Sequence, residues 1–481
     1  MFRFQGSGEG SDGPTAQRTR RRSRRSLSGG FVAIGLVTGA AGLGIVSMAG
    51  GSGALNNVNL GPLAAITASD GVEHGEHGDK EQVRTDPPRR DASKPADPSL
   101  PNAVTSVATP VPCDPYGLVA ALVRANAEGG GDLNLAAGCT YTLATPDQGD
   151  AQSGLPIIQH PITIIGAGAT IARDNDAAPF RFFTVRGGGE LKLVDLNLTN
   201  GRAASGGSIQ VDHDGTATVE RVTITESTAL APDGGGGAIF NDGHLTVVDS
   251  TFHANRAAGA TGKGGALLNG GVLTVAGSEF TNNTAGGSGG GFANFQGAAD
   301  VATSTFINNN ATEGGGIASV NARSKVWDTA LTGNTAKVGG GIVNREAVIT
   351  LRKMTIRQNI STANGGGIAT IQGLVAADDS FVEENTGRGN GAGIFAETST
   401  LLVRRTEVNR NSGVGPQSKG AGIHAEKGQI TMFKSRVAEN GATQKPGGFF
   451  VKDAQSKIDN VTVIAKNGPV NCGKAVENCF G

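Results

Sequence analysis

Aromatic residues are scarce in this sequence. They make up 4% of the 481 residues, with one Trp and two Tyr. Sugar-binding faces commonly present aromatic platforms, so the scarcity counts against a glycan-processing groove. The formal net charge is −1, which argues against nucleic acid as a partner.

Helical patterns and long apolar runs are also scarce. Only the stretch 31–48 approaches the length of a membrane span. Downstream of residue 190 no segment is long enough for a helix inside a repeat, which excludes leucine-rich and ankyrin architectures. The repeat length described below is too short for a propeller blade, which needs about 40–45 residues.

What the sequence does have is an asparagine that returns at intervals of 25–29 residues. An apolar residue stands three positions before each one, from Phe252 to Ile464. Such a period is typical of a solenoid with one coil per repeat. The marker residues are Asn255, Asn283, Asn309, Asn334, Asn359, Asn385, Asn411, Asn440 and Asn467.

A second marker, a glycine cluster followed by an apolar residue, keeps the same period. Gly236-Gly237-Ala238-Ile239 and Gly264-Gly265-Ala266-Leu267 are two of its copies. Between the markers, apolar residues alternate with polar ones, as in 244–252, which predicts short strands. We therefore predict an all-β fold, a right-handed parallel β-helix solenoid of about 11–12 coils.

Stacking of equivalent residues explains both markers. We expect each marker asparagine to occupy left-handed backbone at a turn, with its amide donating to one coil and accepting from another. The nine asparagines would then form a structural ladder. The apolar residues would fill an interior column, and the glycines would supply positive φ at the corners.

The ends of the solenoid need protection, because a terminal coil exposes its core layer. Apolar residues at helical spacing in 116–127 predict a short amphipathic capping helix. The four cysteines lie only at the ends, and we predict the local pairs Cys113–Cys139 and Cys472–Cys479. Two disulfides suit an oxidising compartment.

The first 112 residues have a different composition. Residues 1–50 combine a basic run at 18–25 with the apolar stretch, which predicts either an export signal or a retained N-terminal anchor. Residues 51–112 are rich in Pro, Ala, Asp and Ser and are predicted to be a disordered linker. The β-helix domain would then occupy 113–481, with disulfide-clamped ends.

The segment Gly235-Gly236-Gly237-Ala238-Ile239-Phe240-Asn241, followed by Ser250-Thr251-Phe252-His253-Ala254-Asn255, resembles the repeat of polymorphic outer membrane proteins. The resemblance covers roughly residues 190–467, although most coils replace the Phe of the Phe-x-x-Asn motif with Val, Leu or Ile. It implies a pectin-lyase-like, right-handed parallel β-helix on exported or surface proteins, which are often adhesive.

Two sets of charged residues are candidates for chemistry. Glu397 and Glu426 follow the glycine marker at the same offset, so they should stack about 5 Å apart, beside His424. Stacked like charges need a shared proton or cation, which makes this trio the weak catalytic candidate. The second set stands three residues before the apolar marker and alternates in sign, which favours a solvated, mutually screened face. Its members are Asp195, Asp249, Asp328, Asp379, Arg221, Lys353, Arg405 and Lys434.

These patterns favour an exported, non-enzymatic protein that presents an extended surface for adhesion or for contact with the cell envelope. The alternative is a polysaccharide lyase, hydrolase or epimerase acting near Glu397 and Glu426. We expect a monomer, secreted or at the cell surface, whose partner is an envelope polymer or protein. Membrane contact is expected only through an uncleaved N-terminal segment. No metal site and no cofactor are expected, except Ca²⁺ under the lyase alternative.

Overall fold

The computed structural model describes residues 108–473, 476 and 479. The predicted signal or anchor at 1–50, and most of the linker predicted at 51–112, lie outside this range. The described residues form a parallel β-solenoid, as the sequence predicts. A strand at Thr109–Val111 falls inside the predicted linker, so ordered structure begins a few residues before the predicted boundary.

Each repeat contributes strands to three parallel sheets. The major sheet has 23 strands in two rows. The first row contains Phe183–Val185, Ile209–Val211, Ile239–Asn241, Leu267–Asn269, Phe292–Phe295, Ile317–Val320, Ile342–Arg345, Ile368–Ile371 and Phe449–Lys452. The second row contains Thr109–Val111, Gly131–Leu135, Pro161–Ile165, Glu190–Val194, Thr216–Glu220, His244–Val248, Val272–Ala276, Ala298–Ala302, Arg323–Trp327, Val348–Arg352, Leu374–Asp378 and Gln455–Ile458. In Ile394–Arg404 and Ile423–Phe433 the two rows join into single long strands.

The second sheet, which we call the ladder sheet, has 13 strands and leads into the marker asparagines. Its strands are Thr140–Leu143, Thr170–Arg173, Asn197–Thr199, Thr223–Thr225, Thr251–His253, Glu279–Thr281, Thr305–Ile307, Ala330–Thr332, Thr355–Arg357, Phe381–Glu383, Glu407–Asn409, Arg436–Ala438 and Val463–Ala465. The third, the short sheet, contains Arg202–Ala203, Thr228–Ala229, Arg256–Ala257, Thr284–Ala285, Asn310–Glu313, Thr335–Val338, Ile360–Ser361, Thr386–Gly387, Ser412–Gly413 and Gly441–Ala442.

The chain follows one order in every regular coil: first row, second row, ladder sheet, asparagine, short sheet, glycine cluster. One ladder-sheet strand per coil, with the additional layer at Thr109–Val111, gives about 14 coils. That is two or three more than the repeat markers suggest. The extra coils lie before residue 190, where strands stack in register but the asparagine and glycine markers are missing.

The core is a column of stacked side chains between the sheets. Phe252, Phe280 and Phe306 stack with ring centroids 4.7 and 4.6 Å apart and planes within 5° of parallel. In other coils Leu, Ile or Val occupies the same place, and it is fully buried except at Ile464 in the last coil, which is partly buried. Burial of this column along the whole solenoid supplies the main favourable term in its folding.

A cap and two disulfides protect the ends. The helix α1 (Pro115–Ala127) buries Leu118, Leu122 and Ala125 against the first coils, as its spacing predicts. The Asp114 carboxylate caps its N-terminus by accepting a hydrogen bond of 2.8 Å from the Gly117 backbone N–H. The predicted disulfides are present, with Cα–Cα distances of 5.7 Å for Cys113–Cys139 and 6.2 Å for Cys472–Cys479. No helix in the described part of the chain is long and apolar enough to cross a membrane.

The marker asparagines form a continuous buried ladder. From Asn255 to Asn440, each backbone N–H donates to Oδ1 of the next marker asparagine at 2.9–3.0 Å. Each Nδ2 donates to the same Oδ1 at 2.9–3.1 Å. Its second proton goes to a carbonyl of the preceding coil at 2.8–3.0 Å. The whole amide is therefore satisfied without water.

The left-handed turn residue is not the asparagine itself. Positive φ belongs to the residue immediately before it, such as Ala254 (φ 55°), Asn308 (φ 54°) and Glu384 (φ 57°). This placement differs from the expectation from sequence. The kink turns the chain so that the asparagine side chain enters the interior, where both of its polar ends are used.

Loss of one ladder amide should weaken the solenoid. Asn334→Ala removes the acceptor of the Asn309 backbone N–H and the donor to the Phe306 carbonyl. Because these groups stay buried without partners, we expect the free energy of unfolding to fall by on the order of 3 kcal/mol. Urea unfolding followed by circular dichroism measures this.

The exposed Lys337 of the same coil supplies the control, as Lys337→Ala. Equal urea midpoints for the two variants would contradict a stabilising role for the ladder.

Candidate functional site

The trio Glu397, Glu426 and His424 lies on the two joined strands of the major sheet. Glu397 stands directly opposite Glu426, and Glu426 stands opposite Lys452. His424 stands opposite Phe395 on one side and Phe450 on the other. The structure therefore places Glu397, Glu426 and His424 close together, as their spacing from the glycine marker predicts.

His424 is buried in an apolar row outside the main core. First-row residues that point away from the main core, such as Leu268, Val343 and Phe395, form a second hydrophobic cluster. His424 continues that row with 1% of its surface exposed. Its ring stacks between Phe395 and Phe450, at centroid distances of 5.6 and 4.6 Å. The imidazole is thus a packed member of an aromatic stack.

Both imidazole nitrogens face acceptors. Nε2 lies 3.0 Å from Oε1 of Glu426, and Nδ1 lies 3.2 Å from the Lys419 carbonyl oxygen. Burial lowers the pKa of His424, although the hydrogen bond to Glu426 opposes the shift. A neutral ring carries a proton on only one of these nitrogens, and Nε2 makes the shorter contact. That hydrogen bond also lowers the pKa of Glu426, and Lys452 Nζ, 4.0 Å from Oε2, contributes in the same direction.

This arrangement holds a carboxylate in place. Glu426 is fixed by a buried histidine on one side and approached by a lysine on the other. Glu397 is exposed and stands one coil away, about 4.8 Å along the solenoid axis. The chemistry available to the pair is that of two neighbouring carboxylates on an open surface, one held by neighbours and the other exposed.

The column of alternating charge lies at the turn between the second row and the ladder sheet. Asp195, Arg221 and Asp379 all have positive φ there, between 48° and 53°. Arg221 bonds Asp195 of the preceding coil at 2.6 Å, and Arg405 bonds Asp379 at 2.7 Å. The other members occupy the same turn in their own coils: Asp249, Asp328, Lys353 and Lys434.

Asp378 and Asp379 are neighbours in sequence, and neighbouring residues of a regular strand point to opposite faces of the sheet. Both carboxylates bond Arg405, at 2.6 and 2.7 Å, and Asp378 also bonds Arg404 at 2.7 Å. The reason is that the strand ends at Asp378, and the left-handed turn at Asp379 breaks the alternation. Hydrogen bonding to Arg405 lowers the pKa of Asp379.

A groove beside Trp327 lies on the outer face of the second row. Its volume is about 410 Å³, within the range of small-ligand sites, about 300–1,000 Å³. Trp327 is 42% exposed, and its Nε1–H donates to Asp300 Oδ1 at 2.8 Å. The remaining lining residues are Lys325, Val326, Asp328, Thr350, Arg352 and Lys353.

Sequence reasoning missed this groove because it used the tryptophan only as a composition count. The signal is present in the strand Arg323–Trp327, in which alternate residues Arg323, Lys325 and Trp327 face outward. Alignment of this strand with the next places Trp327 opposite Arg352 and Lys325 opposite Thr350. Within the residues that the structure describes, no group of three or more potential metal ligands is present.

Comparison with known proteins gives structural neighbours only. No family model matches the chain, and no curated protein matches it. Two similar solved structures are A-modules of mannuronan C-5 epimerases from Azotobacter vinelandii. AlgE6 has 11% identity and a TM-score of 0.36, and covers 74% of this chain and 93% of its own. AlgE4 has 13% identity and a TM-score of 0.32, and covers 74% and 94%.

Tailspike protein 3 of bacteriophage CBA120 is a third similar structure. Its identity is 11% and its TM-score is 0.37, over 79% of this chain and 61% of that one. The described chain is a parallel β-solenoid protein, and this assignment rests on its own stacked coils.

Acid should destabilise the His424 site. As the pH falls below about 6.5, the ordinary pKa of histidine, the unfolded chain binds a proton that the native state resists. Glu426 adds to the loss nearer its ordinary pKa of 4.5, because its native pKa is also lowered. In His424→Phe, which keeps a ring between Phe395 and Phe450, we expect a smaller fall in Tm between about pH 8 and about pH 5.5.

Calorimetry at both pH values measures this difference. The exposed His244 supplies the control, as His244→Gln. An unchanged pH dependence in His424→Phe, equal to that of the control, would show that His424 titrates as it does in the unfolded chain.

Proposed function

We propose that this protein is an exported, non-enzymatic β-helix scaffold that binds a repeating polymer of the cell surface or envelope. The observation that carries the proposal is the register of the outer face. Every outward position of the second row forms a column with one side chain per coil, as in Ala302, Trp327, Arg352, Asp378 and Arg404. A surface with a fixed repeat suits a ligand with a repeat of its own.

Several ion pairs join neighbouring coils, one of them on this face and others at the turn and on the ladder sheet beside it. Arg221 bonds Asp195, Arg404 bonds Asp378, and Arg410 bonds Glu383 at 2.5 Å. Ion pairs between coils hold the acids in place and neutralise them. Glycosidic bond cleavage needs instead a pair of carboxylates free to exchange protons or attack. The pairing supports binding in preference to catalysis.

Export is supported by the two disulfides, which are typical of proteins that fold in an oxidising compartment. The basic run and apolar stretch in 1–50 are consistent with it. The resemblance to the polymorphic outer membrane protein repeat adds adhesion as the expected role of such a surface. We propose a monomer that acts outside the cytoplasm without a cofactor.

The second candidate is a polysaccharide lyase, hydrolase or epimerase. The observation that favours it is the register of Glu397 with Glu426, which places two acids on adjacent strands of one face. Under this alternative, Glu397 and Glu426 would be the residues that hold Ca²⁺, which would offset their negative charge.

A combined binding and product assay separates the two candidates. The purified full chain is mixed with insoluble envelope material and with a panel of acidic and neutral polysaccharides, with and without Ca²⁺. We expect the protein to sediment with at least one polymer while reducing ends and unsaturated products stay at background, because Glu426, the acid opposite Glu397, is already held by His424 and Lys452.

Product that disappears in Glu397→Ala or Glu426→Ala would establish the enzymatic alternative instead. Absence of both product and retention would contradict the binding proposal. Lys337→Ala, at an exposed position on the short sheet and away from the proposed binding face, is the control.

A further inference from the structure

We infer that the groove beside Trp327 is a binding subsite for an acidic sugar residue, one that presents an apolar ring face to the indole and a carboxylate to Arg352 and Lys325. The inference deepens the proposed function, because it rests on polymer binding and names the polymer class as a polyuronate or another carboxylated glycan.

The indole is a fixed platform. Its polar edge is occupied, because Nε1–H donates to Asp300 on the preceding coil. Below it in register lies the small side chain of Ala302, which is 7% exposed. With its N–H satisfied and its position set, the exposed part of the ring offers carbon surface, which is the surface that the C–H face of a pyranose packs against.

The cations around the platform are available for a ligand. Arg352 stands opposite Trp327, about 4.8 Å away along the axis. The acid opposite Arg352 is Asp378, but Arg404 and Arg405 already hold that carboxylate at 2.7 and 2.6 Å. Within the described chain, no carboxylate forms an ion pair with the Arg352 guanidinium, although its charge contributes to the lowered pKa of Asp379. It can therefore bind a ligand carboxylate through two parallel hydrogen bonds.

Lys325 is the second cation. It lies two residues from Trp327 on the same face of one strand, about 7 Å away. The acid opposite it, Asp300, accepts the indole hydrogen bond, and no ion pair joins the two residues. Lys353, also on the lining, is 3.9 Å from Asp328, which offsets its charge.

The balance of charged side chains that line the groove favours an anionic ligand. Of the charged lining residues, three are basic and one is acidic, and that acid is the one beside Lys353. Thr350, which has a small and uncharged side chain, lies opposite Lys325. A neutral sugar would use the indole alone and would leave both free cations facing water. A carboxylated sugar uses the platform and the cations at once.

The sole tryptophan of the sequence allows a direct test on the full chain. Intrinsic emission excited at the red edge, where tyrosine does not absorb, reports on position 327 alone. Three probes are titrated: a short galacturonate oligomer, a neutral glucan oligomer of equal length, and a sulfated oligosaccharide. We expect saturable quenching or a shift with the galacturonate, weakened by salt, and a much weaker response with the neutral oligomer, which can contact only the indole.

Variants locate the contact by calorimetry or by sedimentation with polygalacturonate. Arg352→Gln should raise Kd about tenfold, the cost of one lost charge-assisted contact. Trp327→Ala should raise Kd by a similar factor, about fivefold to tenfold. Arg357→Gln, in the same coil but on the ladder sheet, and Phe381→Ala, an exposed aromatic on that sheet, are matched controls expected to bind as wild type.

The outcomes separate this inference from the proposed function. If the wild type is retained on envelope polymer while the galacturonate leaves the emission unchanged and both site variants bind normally, the subsite is wrong and the scaffold proposal stands. Equal responses to neutral and acidic oligomers would also overturn the subsite, because the cations would then have no role. A response to the sulfated probe alone would overturn the carboxylate assignment.

If emission and variants respond to galacturonate but no envelope polymer retains the protein, the subsite stands and the envelope role fails.

Discussion

The buried asparagine ladder is the interaction on which the rest of this molecule depends. Its amides lie inside the solenoid, where an unpaired polar group would destabilise the fold by more than most single contacts stabilise it. A shift in register would leave Oδ1, Nδ2 and the backbone N–H of a ladder residue, such as Asn334, facing apolar side chains. Each coil is therefore fixed relative to the next, and the hydrophobic column follows that register without having to define it.

Because the register is fixed, equivalent residues of successive coils form columns, and each column has its own chemical character. In the main core the column is apolar, and at the turn after the second row it alternates in charge. The outward positions of the second row face away from the core column, so packing in the core does not fix which side chain stands there. Side chains can differ from coil to coil there, and it is there that Trp327 of one coil lies opposite Arg352 of the next. The regular stacking of interior residues thus leaves the outward residues of the second row free to differ from one coil to the next.

The sequence was sufficient for the fold because stacking places identical residues on one another, and both repeat markers record that stacking. The register of Glu397 with Glu426 was also accessible, since both acids follow their glycine marker by the same number of residues. The burial of His424 was not. Its position points away from the main core, and a periodic pattern does not show that the loop after the short sheet covers an additional apolar row.

Other features depended on local breaks in the pattern. The clamp of Asp378 and Asp379 on Arg405 arises because a left-handed turn follows the strand, and alternation gives no sign of where a strand ends. The Trp327 groove needs the alignment of two strands from neighbouring coils. A composition count records that there is one tryptophan in 481 residues, but it does not record where in a coil that tryptophan lies, and its position is what indicates the groove.

The order of elements within a coil has one further consequence. From the apolar residue of a glycine marker to the following asparagine the chain takes 16–18 residues. The return from that asparagine to the apolar residue of the next glycine marker takes 8–12 residues. Length therefore varies mainly on the return, after the short sheet, as at 258–263 and 414–419. That single edge is where this protein can accept inserted segments, since extra residues there leave the ladder, the core column and the outer face of the second row in register.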